Sequence, residues 1–89
     1  MVMEDIMSID TIFAAAVETL AKEQGKDLRE IAHNAIGLST PDVSIREFRR
    51  CIKPDTKGRY RTITLKEAYE MARALGKTID DVIVFGLTK

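Results

Sequence analysis

Between Ser44 and Arg61 the chain reads SIREFRRCIKPDTKGRYR, and seven of these residues are cations: Arg46, Arg49, Arg50, Lys53, Lys57, Arg59 and Arg61. Only Glu47 and Asp55 oppose them, so the segment carries +5 while the 89-residue chain is formally neutral. The remainder therefore holds seven cations against twelve anions, a charge of −5. Segregation of this kind suits a polyanionic partner, because guanidinium and ammonium groups collected on one surface raise the local attraction for phosphates or carboxylates. Other reactive side chains are too scattered to build a catalytic centre. His33 is the only histidine and Cys51 the only cysteine, so neither a cysteine-based metal site nor an internal disulfide is expected. Ser39, Thr40 and Ser44 have no base nearby in sequence, and the Asp80-Asp81 pair is accounted for by helix capping. No enzyme activity, cofactor, metal or small-molecule ligand is expected.

The elements that must carry these cations are short helices. SIDTIFAAAVETLAKEQG places Ile9, Ile12, Phe13, Ala16, Val17 and Leu20 on one helical face, and Gly25 ends it. DLREIAHNAIG opens on Asp27, with Glu30 completing a capping box, and turns Leu28, Ile31, Ala32, Ala35 and Ile36 inward before Gly37. His33 is expected beside Asn34 on its polar face. STPDVSIREFRRCIK is capped by Ser39 or Thr40, takes Pro41 into its first turn, and buries Ile45, Phe48 and Ile52. Pro54 closes it, and PDTKGRYR reads as a polar loop with no core residue, whose cations are expected to be replaceable without loss of the fold. TLKEAYEMARALG carries a second box, Thr64 with Glu67, and a buried face of Leu65, Ala68, Tyr69, Ala72 and Leu75. TIDDVI opens a fifth helix on Thr78 and Asp81, and VIVFGL after it reads either as its last turn or as an extended tail. The fold expected is all-α: a compact bundle of about five short helices in one domain over residues 9–89, after a flexible start at 1–8.

On the third helix, the side opposite Ile45, Phe48 and Ile52 holds Val43, Arg46, Glu47 and Arg50, with Lys53 on the flank and Arg49 near the apolar edge. A helix fits the major groove of B-DNA, where arginine can take guanine O6 and N7 together and a carboxylate can accept from cytosine N4. Val43, Arg46, Glu47 and Arg50 are the base-contact candidates on this reading. Phosphate contacts are expected from Lys26, Arg29, Thr40, Ser44, Arg49, Lys53, Lys57, Arg59 and Arg61.

The sequence here resembles the lambda-repressor-like helix-turn-helix family, the Cro and XRE-type regulators. The resemblance lies in LREIAHNA as first motif helix, VSIREFRR as second, and LKEAYEMARALGKTIDDVI as the closing helices. Ala32 precedes Ile45 by thirteen residues, where the family has ten, so the connecting turn IGLSTPDV is expected to be longer than usual. The resemblance implies a five-helix fold whose third helix reads DNA, and a small transcriptional regulator of phage or prophage-like type. The alternatives are a protein-interaction module on the same fold, an antitoxin or anti-repressor gripping an acidic partner, and an RNA binder.

One such unit reads few base pairs, so a homodimer is expected, with Val84, Phe85 and Leu87 of VIVFGL as interface candidates. No apolar run approaches the ~18 residues of a membrane span, and MVMEDIMSID lacks the basic start of a secretory signal. A cytoplasmic location is expected.

Overall fold

Ser8, Thr40, Thr64 and Thr78 each sit in extended backbone and accept a hydrogen bond from an amide three residues on, and each starts a helix. Asp27 starts a fifth by accepting from the Arg29 amide. In the computed structural model, which describes residues 8–88, the helices are α1 (Ile9–Gln24), α2 (Leu28–Ile36), α3 (Pro41–Arg49), α4 (Leu65–Ala74) and α5 (Ile79–Leu87). No strand occurs among the described residues. The expected flexible start lies outside them save for Ser8, which is the cap of α1.

The boxes at Thr64–Glu67 and Thr78–Asp81 close in both directions, side chain to amide and amide to side chain. The one expected at Asp27–Glu30 does not: Asp27 turns to the Arg29 amide at 3.0 Å, and Glu30 is exposed. VIVFGL is helical to Leu87. After Arg49, α3 runs out through tight turns, with Arg50, Cys51 and Ile52 amides donating to the carbonyls of Glu47, Phe48 and Arg49.

α2 packs on α3 and α4, α1 on α5, and α4 touches α5. The core they share centres on Phe13, Val17, Ile31, Ile45, Phe48, Met71 and Val82. Phe48 has 0% exposure, and truncating such a side chain costs about 3–5 kcal/mol. α5 lies close on α1 because residue 86 is glycine: a Cβ there would stand 2.8 Å from Ile12 Cγ2 and 3.0 Å from the Ile12 carbonyl oxygen.

Three residues expected in the core lie outside it. Leu65 is 80% exposed, Tyr69 55% and Ile9 51%. α4 presents Ala68, Met71, Ala72 and Leu75 to its neighbours, a stripe that puts Met71 where the sequence reading had Tyr69. Leu65 and Ile9 sit at the first turns of their helices and line, with Phe13, Ile63, Ile79 and Ile83, a small apolar groove of about 140 Å³.

Candidate nucleic-acid interface

α2 and α3 form one unit. Only Gly37, Leu38, Ser39 and Thr40 separate them, and Gly37 ends α2 in the left-handed conformation (φ 75°). The connection is thus four residues long, and both Ala32 and Ile45 are buried across it. A side chain from α3 fastens the turn. Ser44 has 0% exposure, and its Oγ accepts from the Leu38 amide at 3.3 Å and lies 3.0 Å from His33 Nδ1. Ser44 is therefore no phosphate contact; it faces α2, and His33 is half-buried against it rather than out on the polar face. Arg29 of α2 and Asp42 of α3 close an ion pair at the outer edge of the unit.

Two other residues assigned to phosphates are engaged within the fold. Lys26 Nζ donates to the Ala74 carbonyl at 2.8 Å, beside Gln24 Nε2 on the Leu75 carbonyl at 3.0 Å, so both cap the end of α4. A cation there is favoured by the helix dipole. Thr40 remains exposed but spends its Oγ1 on the Val43 amide.

The seven cations of the basic segment divide into two sets. Arg50, Arg59 and Arg61 are neutralised. Arg50 reaches Glu47 at 2.9 Å and Asp55 at 3.5 Å, and its Nε is enclosed with no acceptor among the described residues. Arg59 Nε lies 3.4 Å from Asp55. Arg61 grips Glu67 through two hydrogen bonds of 3.1 Å and approaches Glu47 at 3.8 Å. Three carboxylates thus meet three guanidinium groups. Glu47 and Arg50, expected to read bases, are engaged in this network through Glu47 Oε1 and both terminal nitrogens of Arg50. Arg61 is no loose loop cation: its side chain is 22% exposed and it braces the start of α4.

The protonation chemistry follows the contacts. Backbone amides of Arg59 and Lys57, with the neighbouring arginines, hold the Asp55 carboxyl below its ordinary range. Burial works to raise Glu67, but the Arg61 hydrogen bonds, the Thr64 capping bonds and the guanidinium charge outweigh it and lower its carboxyl. The Glu67 bonds push Arg61 up in turn. Burial raises the Cys51 thiol against the lowering effect of Arg61, so it stays protonated and packs as an apolar side chain, fully enclosed as a core filler.

The second set is free. Arg46, Arg49, Lys53 and Lys57 are exposed, and none has a carboxylate within ion-pair distance among the described residues. Arg46, Arg49 and Lys53 follow one another at intervals of three and four along α3 and the turn after it, so they form one ridge. Val43, half-buried, lies beside that ridge. The opposite side of α3 is held by Ser44, Ile45 and Phe48.

Sequence reasoning found these cations but could not separate the two sets, because the pairing carboxylates Glu47, Asp55 and Glu67 belong to three different elements. Of the dimer candidates, Val84 and Leu87 are 57% and 61% exposed, whereas Phe85 is partly buried against the core. No described helix is long and apolar enough to cross a membrane, and no cluster of three or more metal-ligating side chains occurs among the described residues. No family model, curated protein or solved structure matches the chain.

Proposed function

We propose that this protein is a sequence-specific double-stranded DNA-binding regulator of repressor or Cro type, with α2 and α3 as its helix-turn-helix and α3 as the helix that enters the major groove. The observation that carries the reading is the ridge of Arg46, Arg49 and Lys53: cations with no ion-pair partner among the described residues, in line along α3 and the turn after it, on a helix whose other side is bolted to the core. Arg46 is the base-reading side chain, its donors without a partner among the described residues, and Val43 beside it offers an apolar contact to a thymine methyl. Arg49, Lys53 and Lys57 serve phosphates.

The network of neutralised arginines changes the expected strength of binding. Counting all seven cations as available to the backbone overstates it; four have no ion-pair partner among the described residues. Counterion release of about 0.9 per phosphate then gives a slope of log affinity against log salt of about −2.7 from Arg49, Lys53 and Lys57, the three assigned to phosphates. Selection from a random duplex pool, followed by titration of the winning duplex over a salt series, tests this. A selected consensus with a slope near that value supports the reading. Absence of duplex binding at low salt overturns it.

A second reading rests on a specific observation. With Glu47 and Arg50 tied to each other, few side chains remain to distinguish one base pair from another. This favours a module of the antitoxin or anti-repressor kind, in which the same ridge grips an acidic protein. Absence of duplex binding at low salt, with binding to an acidic protein, would point there. In the DNA reading, two copies span two half-sites ~34 Å apart, and Val84 and Leu87 are the exposed apolar residues at the end of α5 that such pairing can cover.

A further inference from the structure

Three of the four connections between helices hold three or four residues: 25–27, 37–40 and 75–78. The fourth, from Arg50 to Thr64, holds fifteen. Connections longer than about 12–15 residues without secondary structure are uncommon in small domains, and are either disordered or functional. This one is built. The Gly58 amide donates to the Asp55 carbonyl at 2.9 Å and the Asp55 amide to the Arg59 carbonyl at 2.9 Å, the pattern of a tight hairpin loop closed by a left-handed glycine. Gly58 has φ 79°, which a side chain rarely tolerates, although nothing stands within 4 Å of where a Cβ would be. Asp55 locks the tip further, its Oδ1 accepting from the amides of Lys57 at 2.9 Å and Arg59 at 3.0 Å.

Both legs of this hairpin are fastened. Arg50 at the end of α3 pairs with Asp55, the Arg61 amide donates to the Arg50 carbonyl at 3.1 Å, and the Arg61 guanidinium ties Glu47 to Glu67. Ordering backbone costs ~1–2 kcal/mol per residue, yet residues 56–60 are all exposed and contribute nothing to the core. What the order does produce is a fixed tip, rooted on Arg50 at the end of α3, that presents Lys57, with no ion-pair partner among the described residues, and Tyr60, 52% exposed. The carboxylates of the hairpin and its roots, Asp55, Glu47 and Glu67, are all turned inward, with side chains 23%, 27% and 12% exposed, so the outer surface is cationic.

We infer that this hairpin is a wing: a second DNA-binding element that lays Lys57 and Tyr60 on the sugar-phosphate backbone flanking the groove entered by α3, with Asp55 as the positioning residue that holds the tip. The inference rests on the DNA-binding reading above and adds a separate surface to it. An amphipathic tyrosine suits that place, its ring against deoxyribose and its hydroxyl toward a phosphate oxygen.

Charge and order pull in opposite directions at Asp55, which makes the test decisive. Asp55→Asn and Asp55→Ala each raise the net charge by one, but only alanine removes the side-chain oxygen that accepts from Lys57 and Arg59. With the selected duplex carrying long flanks, Asp55→Asn keeps or tightens binding, while Asp55→Ala weakens it by roughly three- to tenfold as the tip loses its order. Lys57→Gln lowers the salt slope by about 0.9. Hydroxyl-radical footprinting of Lys57→Gln and Tyr60→Ala shows flank protections lost and the central ones kept; both residues are exposed, so the fold is not at issue. If Asp55→Ala and Asp55→Asn tighten binding alike, or if the flank protections survive both tip variants, there is no wing, while the central footprint still leaves α3 as a DNA reader. If the wild type protects no selected duplex at all, the wing and the DNA reading fall together.

Discussion

Replacing Arg61 by methionine keeps its apolar stem and removes every donor. The sequence alone makes this a harmless loop substitution; the structure makes it a costly one. Arg61 meets both oxygens of Glu67 at 3.1 Å, donates to the Thr62 carbonyl at 3.1 Å and is 22% exposed, against 12% for Glu67. Breaking a fully buried pair costs about 3–5 kcal/mol and an exposed one about 0.2–1. This pair lies between those limits, and hydrogen bonds to charged groups contribute about 1.5–3 kcal/mol. About 2 kcal/mol is expected for Arg61→Met, which for a domain of this size lowers Tm by about 8–16 °C. Thermal unfolding followed by circular dichroism measures it, and a cycle with Glu67→Gln gives the coupling, expected at about 1–2 kcal/mol.

The pH dependence supplies an independent arm. The Glu67 carboxyl is depressed in the folded state, so its contribution is complete above the ordinary glutamate range and is lost as pH falls through the folded value. The wild type should lose that stability in acid, and Arg61→Met should lack most of this part of the slope. A Tm within about 3 °C of wild type, or a coupling below about 0.5 kcal/mol, would refute the view that Arg61 braces the α3–α4 connection.

Arg46→Ala should cost about 1–3 kcal/mol on the selected duplex and much less on random duplex, with Tm unchanged; Arg50→Ala should instead lower Tm, because its partners Glu47 and Asp55 are left half-buried. Competition binding beside melting curves separates the two. Gly86→Ala should destabilise by about 1–3 kcal/mol through overpacking against Ile12, despite the better helix propensity of alanine, and a Tm at or above wild type would contradict the close α1–α5 approach. Phe85→Glu should impair folding of the monomer, since Phe85 packs on the core, whereas Val84→Glu with Leu87→Glu should leave Tm intact. Sedimentation of the double variant reports whether those exposed residues hold two copies together.

What was legible in the sequence was what is local along the chain. A capping box is an interaction between residues three apart, so Thr64 with Glu67 and Thr78 with Asp81 announce their helices without knowledge of anything else. Glycines 25 and 37 mark helix ends for the same reason, and the stripe Ile45–Phe48 follows from helical period alone. The concentration of positive charge between Arg46 and Arg61 is likewise a property of composition. Tertiary structure decided which of those charges are available. Arg61 is neutralised by Glu47, fourteen residues back, and by Glu67 in the next helix; Arg29 is claimed by Asp42, and Lys26 by a carbonyl of α4 forty-eight residues away. It also decided that Ser44 faces α2, and that Leu65, one position into α4, stands clear of the core while Met71 enters it. Pairing and burial depend on which elements the fold brings together, and the spacing of residues along one helix does not contain that information.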